Sequence, residues 1–316
     1  MVDLNIKLSD GFLDEEVRCG YKVSHKMKEV WAVELDLLAE FNRVCKKYNI
    51  SYCADGGTLL GAVRHQGFIP WDDDIDIGML RSEFDKLNSI AETEFSYPYF
   101  WQTEESDPGS ARGHAQLRNS LTTGILKSEY EDYRNNNYNQ GIFIDIFPFD
   151  NIPDNADDLV ALDKNRLYQN ALYHERLATI NYYHPRIYKD INGKRHFQIR
   201  KRLGHLKNNL LKRDYTDAYE KCMNIYRTYD DLDNSTYVAD LCIGISMNRI
   251  RRFKEDFYNL VNTDFEFLKI PIFKNYDRNL SILYGSNYMT PVNASSEHGT
   301  VIFDVDKPYT YYLNNR

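Results

Sequence analysis

Asp72, Asp73, Asp74 and Asp76 crowd into five residues, and the last two alternate with Ile75 and Ile77. Acid interleaved with β-branched residues reads as an acidic turn leading into a strand, where successive side chains point to opposite faces. Asp74 and Asp76 then share one face, roughly 6 to 7 Å apart at their Cα atoms, while Ile75 and Ile77 face a core. Like charges held so close repel each other unless a cation lies between them. Hard oxygen ligands on a rigid strand suit Mg²⁺, with Mn²⁺ the alternative, and Mg²⁺ completes its shell with substrate phosphates. Asp72 and Asp73 are left outside that ligand set, because acidic runs are usually solvated turns and Asp73 points away from the shared face.

The elements that must position this pair lie on both sides of it. A short strand is expected over 50–54, then a turn of Asp55, Gly56, Gly57 and Thr58, then a helix over 59–64. Glycines let backbone amides approach an anion, and a helix start adds unpaired N–H groups and a positive dipole end. Gly56, Gly57 and the Thr58 hydroxyl therefore form a candidate phosphate cradle. Arg64 and His65 follow closely in sequence and are candidates to neutralise transferring oxygens; the alternatives are a surface ion pair and a hydrogen-bonded structural histidine. A third carboxylate, Asp145, sits in GIFIDIF (141–147), a buried-strand pattern, and joins Asp74 and Asp76 if the strands are neighbours. Arg118, in a strand expected over 115–119, is a candidate contact for the nucleotide or diphosphate, the alternative being a charge at a strand edge.

This combination resembles the nucleotidyltransferase superfamily, whose sites combine a Gly-Gly or Gly-Ser turn, an Asp-x-Asp strand and a third acidic strand. The wording GTLLGAVRHQGFIPWDDDIDI, with AQLRNSLTT at 115–123 and GIFIDIFPFD at 141–150, is similar to the LicD family of phosphotransferases, with fukutin-related protein a distant relative. The resemblance implies an α+β fold: a nucleotidyltransferase-like mixed sheet with flanking helices and a mainly helical insertion. It implies transfer of phosphocholine, or of glycerol or ribitol phosphate, from a CDP-alcohol such as CDP-choline to a glycan or lipid-linked oligosaccharide, with CMP released. Asp74, Asp76 and Asp145 would hold the metal, and Asp145 would also take the acceptor's proton. His298 lies where family members tend to carry a histidine, in a role that is either catalytic or a surface one. The rival readings are nucleotidyl transfer onto a small molecule and a noncatalytic glycan-binding protein.

Composition narrows the rest. A net charge of -8 argues against nonspecific nucleic-acid binding, which needs a basic surface. The five cysteines are odd in number and lack a Cys-x-x-Cys pair, so neither a disulfide framework nor structural zinc is expected, and reduced thiols imply the cytoplasm. No stretch approaches the ~20 apolar residues of a membrane span, which leaves room for a peripheral membrane contact. Residues 1–23 read as a polar lead-in. A helix capped by Ser24 is expected through Tyr48, with Met27, Trp31, Leu35, Leu38, Phe41 and Cys45 on one face. Ser82 and Asp85 read as a capping box for a helix to about Glu92. The organisation expected is a core over 24–156, a helical section over 157–230 and a C-terminal part over 231–316 packed on the core. The helical section is basic within an acidic chain (Lys189, Lys194, Arg195, Arg200, Lys201, Arg202, Lys207, Lys212, Arg213), so it is either a solvated face or a dock for an anionic acceptor.

Overall fold

Ser24 caps the first long helix as its sequence predicts: its side chain accepts from Met27 N–H at 3.2 Å, and Asn49, in the left-handed region at φ 51°, closes the other end. The computed structural model describes residues 1–127, 138–180, 187–189, 195–197, 199–211, 215–232, 234–292 and 301–314. In chain order the elements are β1 (Glu16–Arg18), β2 (Tyr21–Val23), α1 (His25–Tyr48), β3 (Cys53–Ala54), α2 (Gly56–His65), β4 (Asp76–Leu80), α3 (Arg81–Glu94), β5 (Tyr99–Gln102), β6 (Ala115–Asn119), β7 (Thr123–Leu126) and β8 (Ile142–Asn151). After them come α4 (Ala156–Ile180), the hairpin β9 (Ile187–Lys189) and β10 (Arg195–Phe197), α5 (Ile199–Leu210), α6 (Thr216–Tyr226), β11 (Tyr237–Ala239), α7 (Met247–Ile250), β12 (Arg251–Phe253), β13 (Leu260–Phe265), β14 (Leu268–Phe273) and α8 (Tyr276–Tyr284).

The fold is α+β, organised on a mixed seven-stranded sheet with β8 at its centre. β4 runs parallel to β8 and β6 antiparallel to it, so Asp145 has Asp76 as its partner across one edge and Gln116 across the other. This register brings the acids of two distant segments together. β3 pairs antiparallel with β4, which sets the start of α2 beside Asp76, and β11 and β12 extend the sheet from the far end of β8.

Helix α1 is not the one-faced helix that its spacing suggests. Every residue from Val30 to Leu38 is buried, Glu34 and Asp36 included, because the sheet covers one side and the N-terminal segment the other. Asp36 accepts from the N–H groups of Asn5 (2.7 Å) and Ile6 (3.1 Å) and from the Tyr99 hydroxyl (2.7 Å). Residues 1–23 are accordingly no polar lead-in: Phe12 and Val23 belong to the main core, and Val2 N–H bonds Val305 O at 2.8 Å. The capping box is also absent. α3 begins at Arg81 with Leu80 as its cap residue and no side-chain cap, and Asp85 pairs with Arg227 at 2.6 Å instead. β13 and β14 form an antiparallel hairpin whose turn includes Glu266, at φ 53°.

A second apolar cluster, including Ile152, Leu162, Tyr173, Cys222, Tyr226, Leu241 and Ile250, joins α4 and α6 to the 239–250 segment. It gives that segment a floor of its own. All five cysteines are unpaired, and no helix among the described residues is long and apolar enough to cross a membrane. Lys194, Lys212, Arg213 and His298 lie outside the described residues.

Candidate active site

Three carboxylates from two segments converge, Asp76 and Asp145 from neighbouring strands and Asp74 from the loop before β4, which begins only at Asp76 and so does not carry Asp74 as the alternation suggests. One oxygen each from Asp74, Asp76 and Asp145 lies within 4.8 Å of the others, with Asp74 and Asp145 buried and Asp76 half-buried. The loop that delivers Asp74 is held from behind, where Trp31 of α1 donates its indole N–H to Asp72 O at 3.0 Å and stacks on Phe68. Asp76 is fixed by its own backbone: its N–H donates to the Thr58 hydroxyl at 2.7 Å, and its carbonyl accepts from Asp55 N–H at 3.1 Å.

Why the chain needs glycine at the start of α2 follows from the same packing. Gly56 has φ +52°, and a Cβ there would stand 2.7 Å from Asp76 Oδ2; at Gly57 it would stand 2.6 Å from Asp72 Oδ2. The helix start is thus left bare, and its first N–H groups have no partner within the helix. Asp55, the cap residue, makes no side-chain cap bond. Its carboxylate is taken by Arg252 of β12, a fork with contacts of 3.0 and 3.1 Å.

The two acids that face each other across β4 and β8 sit in opposite fields. Burial, followed by the charges of Asp74, Asp145, Asp72 and Asp55, pushes Asp76 well above the ordinary carboxylate range. Burial pushes Asp145 up as well, but His114, Arg112 and Gln116 outweigh it and its pKa is lowered. His114 Nε2 lies 3.1 Å and Gln116 Nε2 2.6 Å from Asp145 Oδ1. Glu34 is pushed well above its usual value by burial and then by Asp74, Asp73, Asp72 and Asp145.

These groups border a cavity of about 450 Å³. Its lining includes Asp55, Gly56, Gly57, Asp72, Asp74 and Asp76 from one stretch of chain, and Arg112, His114, Gln116, Asp240, Arg249 and Arg252 from others. Trp71, Phe143, Phe147 and Tyr284 supply aromatic surface. Asp240 is raised to about 6 by burial, and its Oδ2 has no hydrogen-bond partner among the described residues.

Of the residues singled out by sequence, Gly56, Gly57, Asp74, Asp76 and Asp145 meet at this cavity, and Thr58 stands behind it as the acceptor for Asp76 N–H. Arg64 and His65 do not border it. They occupy the last turn of α2, about 12 Å along the axis from its start at 1.5 Å per residue, so closeness in sequence misplaced them. There Arg64 donates to His65 Nε2 (2.8 Å) and to Tyr288 O (2.7 Å); burial, then Arg64 and Arg18, lowers His65 to about 4. Arg118 is also off the cavity wall, 1% exposed. It donates to Gln102 Oε1 (2.5 Å), Gly141 O (2.7 Å) and Gln116 Oε1, bracing the amide that holds Asp145. Asp72, set aside by sequence reasoning, is on the wall. Sequence reasoning does not single out His114 and Gln116 although a signal exists: residues 114, 116 and 118 alternate, so an extended chain puts all three on one face.

The mixed sheet thus presents Asp76 and Asp145 from parallel neighbouring strands beside a glycine-opened helix start. Residues 49–181 match the family described as LicD/FKTN/FKRP, nucleotidyltransferase domain. The chain is 35% identical over 127 residues to the lipopolysaccharide cholinephosphotransferase LicD of Haemophilus influenzae, a match covering 40% of this chain and 45% of that protein. It is 44% identical over 78 residues to an uncharacterized protein of Rickettsia prowazekii, covering 24% of this chain and 27% of that one. A protein of Rickettsia typhi is 45% identical over 64 residues, 20% of this chain and 19% of that one. The chain therefore spans less than half the length of each of these relatives.

Proposed function

We propose that the protein transfers phosphocholine from CDP-choline, or a related phospho-alcohol from its CDP carrier, to a sugar hydroxyl of a cell-surface glycan or lipid-linked oligosaccharide. CMP is the other product. The observation that carries this reading is the meeting of Asp74, Asp76 and Asp145 on a cavity whose other borders include a bare helix start and basic side chains. The name of the Haemophilus relative supports choline as the cargo, and so do four aromatic residues around the cavity, since a quaternary ammonium is stabilised over ring faces.

The donor set fits Mg²⁺ or Mn²⁺: all three groups offer hard oxygens, and the burial and neighbouring carboxylates that push Asp76 up are what a bound cation would offset. An ion held by Asp74, Asp76 and Asp145 supplies Lewis-acid stabilisation of charge on the transferring phosphoryl oxygens. The remaining work falls to the chain. Amides at the start of α2 receive the donor's diphosphate, and Arg112 and Arg249 oppose its charge from other parts of the lining. The acceptor oxygen bonds to phosphorus as the bond to CMP breaks, and the hydroxyl proton passes to a carboxylate. Asp240 suits that task better than Asp145, because a base works best with a pKa near the working pH, and Asp145 is held low by His114 and Arg112. Unpaired thiols suit a cytoplasmic setting for the reaction.

Purified protein incubated with Mg²⁺ and CDP-choline, CDP-glycerol or CDP-ribitol in parallel, each with candidate glycans, tests the reading. CDP-choline should give CMP and a modified glycan fastest, and EDTA should stop it. Pyrophosphate in place of CMP would turn the reading to nucleotidyl transfer, and glycan binding with no donor consumed would make this a noncatalytic binder.

A further inference from the structure

Helix α5 (Ile199–Leu210) presents its apolar residues to solvent. Ile199, Leu203, Leu206 and Leu210 recur at spacings of four, three and four, so at about 100° per residue they form one stripe roughly 60° wide. A stripe of this kind is ordinarily the buried face of a helix. Here the four side chains are 56%, 61%, 56% and 84% exposed, and Leu211 just beyond them 52%. α5 lies against α4, yet that contact leaves the stripe outside.

Charge narrows what covers it. From Arg195 to Arg213 the sequence carries seven Lys or Arg residues (195, 200, 201, 202, 207, 212, 213) and no Asp or Glu, in a chain of net charge -8. By helical position the exposed Lys207 falls on one flank of the stripe. A soluble polyanion would match the cations and leave the leucines in water. A neutral apolar protein surface would cover the leucines and desolvate the cations. An anionic lipid bilayer satisfies both, since an amphipathic helix lying in its plane buries the apolar stripe at the headgroup boundary while flanking Lys and Arg meet lipid phosphates. We propose that α5 is an in-plane anchor by which the protein docks on an anionic membrane surface. The surface is separate from the carboxylate cavity and stands whatever donor that cavity takes.

The test is co-sedimentation of the full chain with phosphatidylcholine vesicles, with or without ~30% phosphatidylglycerol. The expected result is partition onto the anionic vesicles only, weakened by salt. Leu203→Ser with Leu210→Ser should lower it at least tenfold, and Arg202→Gln with Lys207→Gln should lower it on anionic vesicles. Because Leu203 and Leu210 are on the surface, the serine variant should keep its melting temperature and its turnover of soluble substrates. The inference is overturned if the wild-type chain stays in the supernatant, if it binds both vesicle types equally, or if the serine variant sediments like wild type. A dimer in sedimentation velocity that the serine substitutions abolish, with no vesicle binding, would assign the stripe to a second copy of the chain.

Discussion

The acidic wall of the cavity comes from one stretch of chain, 55–76, whereas a second part of its lining is assembled from 112–116 and from 240–252. The first rests on the main core beneath α1 and the sheet; the second rests partly on the small cluster between α4, α6 and the 239–250 segment. The difference is one of electrostatics as well as ancestry in the chain. On the acidic side, like charges accumulate and Asp76 is driven up. In the second part His114 and Arg112 hold Asp145 down. Two acids opposite each other in one register therefore have unequal claims to a proton, and the inequality is set by segments far apart in sequence.

The strongest way to break this comparison is to remove the charge that the acidic wall cannot balance. Asp76→Asn should lower kcat/KM for the proposed transfer by at least about a thousandfold, ~4 kcal/mol, because it removes one of the three carboxylates proposed to hold the metal. The same change should make the protein more stable in EDTA, by about 0.5–2 kcal/mol, since it removes a carboxyl group that burial and the charges of Asp74, Asp145 and Asp72 disfavour. It should also abolish any rise in melting temperature on adding Mg²⁺. Loss of stability in EDTA together with loss of activity would mean that Asp76 serves the fold, and the account of the acidic wall would fail.

The two walls differ just as much in how far the sequence reveals them. The acidic wall is legible because its glycines, its acids and the strand that carries them are consecutive, and each local rule points to the same chemistry. Even there, one residue-by-residue inference failed: Arg64 and His65 are near the phosphate cradle in the chain but at the other end of a ten-residue helix. The second part of the lining has no such compression. Arg252 reaches Asp55 from 197 residues away, and nothing in the local pattern of β12 announces it. The sheet itself was readable from β4, β6 and β8, yet the register that sets Asp145 between Asp76 and Gln116 depends on strand pairing across segments that no periodicity connects.

That long-range pair gives the second prediction. Arg252 is 2% exposed and its fork closes on Asp55 at the cap of α2. Arg252→Leu leaves a buried carboxylate without its cation, which should cost about 3 kcal/mol of stability, read as a lower urea midpoint with an unchanged slope. Asp55→Asn added to the same chain should restore much of that loss, because it removes the stranded charge. If the double variant were no more stable than the single one, Arg252 would be acting through its bonds to Arg249 O and Arg251 O, and the ion pair would not be what ties the walls together.

The smallest effect concerns Asp240, the acid of the second part of the lining. Its pKa is raised by burial from 3.8 to about 6, so the folded chain holds that proton more tightly than the unfolded chain does. As pH climbs from about 4 to about 6 the unfolded state loses the proton first, and stability falls over that window; Asp240→Asn should flatten this part of the stability profile. Activity runs the other way. A base must be ionised, so turnover should rise with pH up to about 6 and then level off. Asp240→Asn should lower kcat by about a hundredfold, ~2.7 kcal/mol, and remove that rising limb while leaving the Mg²⁺-induced gain in melting temperature in place. The retained metal response separates this variant from Asp76→Asn. A variant that kept the rising limb would return the base role to a carboxylate of the acidic wall or to Asp145, and the division of labour between the walls would have to be redrawn around the metal-binding acids alone.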